Sequence, residues 1–135
     1  MFTVSNLYGQ ETTTLYVNTD SLDFFYTKEE ITRRTFKRLG LDYDYFVNPG
    51  KEFNTTDMYH PRVPGCRLTV CMKYNTTIIV LYECGGYGGP MTLCLVGNEI
   101  NRGYKTFRLK DDIRGLDELW ELMKTGQLTL VKRTI

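Results

Sequence analysis

The segment from Arg67 to Leu109 constrains the fold more than any other part of the chain. Leu68, Val70 and Met72 alternate with Thr69, Cys71 and Lys73. Asn75-Thr76 then supplies a turn, and Ile78 to Cys84 runs apolar on both faces. Beyond the loop Gly85-Gly86-Tyr87-Gly88-Gly89-Pro90, Met91, Leu93 and Leu95 alternate with Thr92, Cys94 and Val96. Gly97 to Arg102 turns again, and Tyr104 to Leu109 makes a further strand. A period of two bounded by turn residues specifies strands, and connections this short join antiparallel neighbours. The run that is apolar on both faces predicts a central strand covered on both sides.

The flanking sequence adds fewer elements. Residues 2–8 and 13–18 read as a first hairpin turning at Gly9-Gln10-Glu11. Thr27-Lys28-Glu29-Glu30 is a capping box, and Gly40 is the natural stop of the helix it opens. On that helix Ile31, Phe36 and Leu39 share an apolar arc, while Arg33, Arg34, Lys37 and Arg38 form a basic one. Residues 41–66 lack periodicity but carry Tyr43, Tyr45, Phe46, Phe53 and Tyr59. A stretch of this length either works or hides a short element. Residues 116–124 form a short amphipathic helix with Leu116, Leu119, Trp120 and Met123 inward, and Leu128 to Val131 is a last strand. The expected fold is a single α+β domain over residues 1–135. A curled antiparallel sheet of about five to seven strands would carry two helices.

Composition supports sheet over helix. The chain has no Ala and eighteen Thr and ten Tyr among its 135 residues, where roughly ten Ala are usual for this length. Thr and Tyr favour strands and Ala favours helices. AT-rich coding, as in a virus or phage gene, would produce the same bias. A net charge of +1 argues against a strongly basic nucleic-acid binder and against an acidic DNA mimic.

Cysteine usage sets a further expectation. Cys66, Cys71, Cys84 and Cys94 are separated by four, twelve and nine residues, a spacing without Cys-x-x-Cys, so a zinc site is not indicated. The segment Met1-Phe2-Thr3-Val4-Ser5 lacks the basic start and apolar run of an export signal. Reduced thiols, a cytoplasmic location and no membrane partner are therefore expected, with the sequons at Asn54 and Asn75 unmodified. A two-residue turn at Asn75-Thr76 would set Lys73 opposite Ile78 and Cys71 opposite Val80. A six-residue glycine loop would set Leu81 opposite Cys94, which points Cys71 and Cys94 to opposite faces.

Catalytic signatures are sparse. His60 is the only histidine, which removes the multi-histidine metal sites. A thiol activated by His60, with Cys66 and Glu83 nearby, is the enzymatic alternative. The glycine loop lacks the helix and lysine that follow a phosphate loop, so it reads as a hairpin tip. The function expected is that of a small non-enzymatic binding protein, a virus- or phage-encoded inhibitor or modulator of a host protein. It would need no cofactor and no metal. Tyr87, flanked by Gly86 and Gly88, would insert into the partner. Tyr43, Tyr45 and the basic arc Arg33, Arg34, Lys37 and Arg38 would make a second contact zone. The alternative from another class is an RNA or single-stranded nucleic-acid binder using the basic helix face and stacked Tyr rings. Monomer and homodimer stand as equal expectations, the dimer forming through an edge at 104–109 or 128–131.

Overall fold

The computed structural model describes residues 2–7, 10–15, 22–56, 58, 63–86, 89–100, 103–109 and 116–132. Its strands are β1 (Phe2–Leu7), β2 (Gln10–Leu15), β3 (Asp23–Phe25), β4 (Phe46–Val47), β5 (Cys66–Tyr74), β6 (Thr77–Cys84), β7 (Met91–Asn98), β8 (Tyr104–Leu109) and β9 (Leu128–Lys132). Its helices are α1 (Lys28–Ile31), α2 (Arg33–Arg38) and α3 (Leu116–Lys124). One open sheet runs β1-β2-β9-β8-β7-β6-β5-β3, with β4 also on β5. Every pairing is antiparallel except the short β4–β5 pair. Seven of the strands have five residues or more, so the α+β architecture is the one the strand pattern specifies.

Apolar alternation explains the two-sided core. Against α3 lie Val70, Met72, Ile79, Leu81, Cys94 and Phe107, closed by Leu119 and Met123. Against α1 and α2 lie Leu68, Cys71, Ile78, Val80, Leu93 and Leu95, closed by Ile31, Phe36, Leu39 and Phe46. Strand β6 contributes to both, as its doubly apolar sequence requires. Lys73 pairs with Ile78, Cys71 with Val80 and Leu81 with Cys94, in the register the turn lengths predict. Cys71 and Cys94 accordingly lie in different core layers, free and buried.

Several expectations require correction. The alternation of Leu68, Val70 and Met72 breaks at a β-bulge between Leu68 and Val70. The extra residue turns Leu68 toward the α1–α2 layer while Val70 and Met72 face α3. Strand β2 starts at Gln10, three residues before the predicted start, with Leu7 opposite Gln10. The helix opened by Thr27 is broken at Thr32, whose φ is 83°. In an unbroken helix Ile31 and Phe36 would lie about 140° apart, and the break lets both reach one core layer. The strands offered as dimer edges are interior, β9 between β2 and β8, and β8 between β9 and β7. Among its described residues, the segment 41–66 hides a 3-10 helix at Tyr43–Tyr45 and β4. Trp120 is only half-buried and meets Phe24 edge-on at 5.1 Å between ring centroids.

The thiols are also not all free. Cys66 and Cys84 form a disulfide, with Cα atoms 4.2 Å apart. A disulfide is the usual mark of an oxidising compartment, so the cytoplasmic expectation loses the argument from reduced thiols.

Candidate functional site

The helix ends are built as the sequence specifies. The Thr27 hydroxyl accepts from the Glu30 amide at 3.2 Å, the N-cap half of the capping box, and donates to the Glu30 carboxylate at 3.1 Å. At the far end Gly40, with φ 73°, donates to Lys37 while Leu41 donates to Phe36, the pattern of a Schellman stop. The Tyr104 ring fills the space a side chain at Gly40 would need, and Leu39 does the same at Gly97. These two glycines bring α2 directly onto the β7–β8 end of the sheet.

That contact sorts the basic arc. Arg33 makes a two-pronged ion pair with Asp44 at 2.8 and 2.9 Å. The guanidinium holds the Asp44 carboxyl below its usual range and is itself held protonated. Arg38 donates to the carbonyl of Glu99, which ties α2 to the β7–β8 turn. Arg34 and Lys37 are exposed and make no ion pair or side-chain hydrogen bond among the described residues. The same end carries two exposed apolar side chains, Ile100 at 74% and Tyr104 at 52%.

A cavity of about 130 Å³ opens at the same end of the sheet. Its apolar lining is Phe25, Ile31, Cys71 and Ile78. Its polar lining is Glu30, Thr35, Lys73 and Glu99. Lys73 and Glu99 pair at 2.7 Å. Thr35 lies between Arg34 and Phe36 on α2, and Glu99 carries the carbonyl that takes Arg38. Around α2, Arg34 lies about 100° and Lys37 about 160° from Thr35, so the cavity opens on a different side of the helix from these two cations. Strand periodicity and helix arcs could not reveal this cavity, because it lies where α1, α2, β5 and the β7–β8 turn converge from distant positions in the chain.

The other predicted contact residues do not join this surface. Tyr43 is half-buried, edge-on to Phe36 at 5.2 Å between centroids, with Lys28 Nζ 4.2 Å and the Arg33 guanidinium 4.5 Å from its ring centre. Tyr45 is exposed but its ring covers buried Gly65 at the opposite end of the sheet. Gly85 belongs to that end too, and donates to the Gly65 carbonyl at 3.0 Å. A side chain at Gly85 would collide with the backbone of Asn54 and Thr55. Gly89, with φ 109°, donates to Gly86 at 3.1 Å. Close backbone approach and a left-handed turn thus account for Gly85 and Gly89. Gly86 is half-buried, and Tyr87, Gly88 and His60 lie outside the described residues. Along the eight residues of β6 the two ends are roughly 25 Å apart, at about 3.3 Å per residue.

Thiol chemistry finds little support in this geometry. Cys66 is held in the disulfide, which removes the nucleophile from the site expected near His60. Glu83 is paired with Arg67 at 3.0 Å. Burial pushes the Cys71 and Cys94 thiols up to about 12, far from the thiolate that nucleophilic attack requires. Among the described residues no group of His, Cys, Asp and Glu is placed to hold a metal, and no helix is long and apolar enough to cross a membrane. No family model matches the sequence, and neither a curated protein nor a solved structure matches it.

Proposed function

We propose that the chain is a non-enzymatic protein-binding protein whose working surface is the end of the sheet where α2 meets the β7–β8 turn. One observation carries the reading: Arg34 and Lys37, exposed and without an ion pair among the described residues, lie at the same end of the sheet as exposed Ile100 and Tyr104. Recognition surfaces combine apolar anchors with a charged rim in this way. The role fits an inhibitor or modulator, because such proteins need a shaped surface and no reactive group.

The competing nucleic-acid reading is weaker on charge. Arg33 is committed to Asp44 and Arg38 to the Glu99 carbonyl, which leaves two cations of the arc without a partner among the described residues. Two phosphate contacts give a salt slope of only about −1.4 on a single strand, little for a protein that must hold a polyanion. The test is capture from nuclease-treated lysate by the parent and by an Arg34→Glu, Lys37→Glu double variant. A protein retained by the parent and lost by the equally stable variant is expected. Capture that depends on intact nucleic acid would transfer the surface to the competing reading.

A further inference from the structure

We infer that two copies of this chain associate edge to edge through β1, antiparallel about a two-fold axis at Val4. This seam is separate from the α2 surface proposed above and does not depend on it.

An open sheet has two edges, and this chain guards only one of them. At one edge β3 has three residues and begins with Asp23, and β4 pairs with another part of the same side of β5. Shortness, charge and cover keep sheet edges from pairing. At the other edge β1 is six residues long, and among the described residues no strand lies on its outer side. Its sequence, Phe-Thr-Val-Ser-Asn-Leu, holds no Pro and no charged residue. Its register against β2 runs without a bulge from Phe2 opposite Leu15 to Leu7 opposite Gln10. A regular, uncharged edge of this length is a template for another strand.

The hydrogen-bonding phase of β1 follows from its pairing with β2. Only two residues separate Leu7 from Gln10, so that pair is closed by its own hydrogen bonds. Bonded and non-bonded pairs alternate along antiparallel strands, which commits the backbone groups of Leu7, Ser5 and Thr3 to β2. The N–H and C=O groups of Phe2, Val4 and Asn6 then point to the open side. With Val4 opposite Val4 of a second copy, Phe2 falls opposite Asn6, and all three outward residues enter bonded pairs. Each such pair exchanges two bonds, so every outward group from Phe2 to Asn6 is satisfied.

Symmetry and charge favour a second copy over an unrelated strand. A self-complementary edge closes a two-fold pair and uses up the unguarded edge of both chains. At a net charge of +1 two copies repel each other little, and β1 brings no like charges together. Strand β1 lies three strands from β8, roughly 14 Å. The pair therefore leaves the α2 surface of each copy outside the seam and presents two of them.

The test is sedimentation equilibrium of the full chain from about 1 µM to about 500 µM. A rise from one to two chain masses is expected across this range, because a seam one strand long is smaller than a standard interface. In the inferred register Thr3 of one copy lies opposite Ser5 of the other. Thr3→Lys with Ser5→Lys, and Thr3→Glu with Ser5→Glu, should each weaken the pair about tenfold by opposing like charges. An equimolar mixture of the two should restore the two-chain mass, a result that an unfolded variant could not give. Val4→Pro removes one outward N–H and leaves the bonds to β2 in place. It should hold the chain at one mass with its thermal melt nearly unchanged. A parent that stays at one chain mass at the highest concentration overturns the inference. So does a dimer that persists in folded Val4→Pro, which would place the contact elsewhere. A mixture of folded charge variants that stays at one chain mass overturns the register and the seam with it.

Discussion

Single residues decide whether α2 offers charge to a partner or spends it within the fold. Asp44 is the control, because its carboxylate occupies Arg33 on an exposed part of the surface. Replacing Asp44 by Asn should release Arg33 and tighten binding of an acidic partner, with the melting temperature nearly unchanged, since exposed pairs contribute little. A carboxyl held below its usual range stabilises above that range and loses the contribution as pH falls through its lowered value. The same release should therefore occur in the parent only under strongly acidic conditions, and titration of the partner around neutral pH should show none of it. Thr32 makes a second point at this scale. Thr32→Gly removes the strain of a β-branched residue at positive φ at the cost of a weak cap, and should raise stability by about 1–2 kcal/mol. Denaturant unfolding measures it directly, and a less stable variant would show that the Thr32 hydroxyl matters more than its backbone angle. Neither effect is legible in the sequence. Thr27 and Gly40 announce the ends of a helix by residue type, whereas Thr at position 32 resembles any other helical Thr.

Among the elements, the bulge in β5 explains most of what sequence reasoning missed. The register read from the Asn75-Thr76 turn pairs Cys71 with Val80 and Lys73 with Ile78. Extended without interruption, it would set Cys66 opposite Gly85 and leave the thiol alone. The bulge at Thr69 shifts the pairing by one, so that Cys66 faces Cys84 and Arg67 faces Glu83. One inserted residue thus creates the disulfide and the Arg67–Glu83 ion pair together. Arg67 also donates to the Lys51 carbonyl and covers the Phe53 ring at 4.6 Å, fastening the irregular segment to the sheet. Thiol titration of unfolded protein purified without reductant should find two free groups, Cys71 and Cys94, and four would contradict the pairing. The double change Cys66→Ser, Cys84→Ser should lower stability by about 3 kcal/mol, given the sequence separation of 18 between the cysteines. The longer strands and the helix caps were legible because period and caps are local signals, whereas the three-residue β3, the two-residue β4 and the break at Thr32 were not. A bulge carries no such mark, since Thr69 is an ordinary strand residue.

At the scale of the whole molecule, the sheet separates two candidate surfaces. At one end α2 packs on the β7–β8 turn, with Ile100 and Tyr104 exposed and a cavity beside Thr35. At the other the disulfide, Tyr45 on Gly65 and Gly85 on Asn54 pack irregular chain onto the strand ends. The basic arc was visible from helical periodicity alone. The engagement of Arg33 and Arg38 was not, because Asp44 and Glu99 come from outside the helix. The glycine loop draws attention through composition, yet two of its glycines answer to backbone geometry. The account therefore makes a claim about place: a partner engages the α2 end. Hydrogen–deuterium exchange of the chain, alone and saturated with its captured partner, maps that place without any substitution. Protection confined to residues 33–40 and 97–105, with exchange across 85–91 unchanged, is the predicted footprint. Protection across 85–91 with the α2 end unchanged would contradict the account and return the working surface to Tyr87.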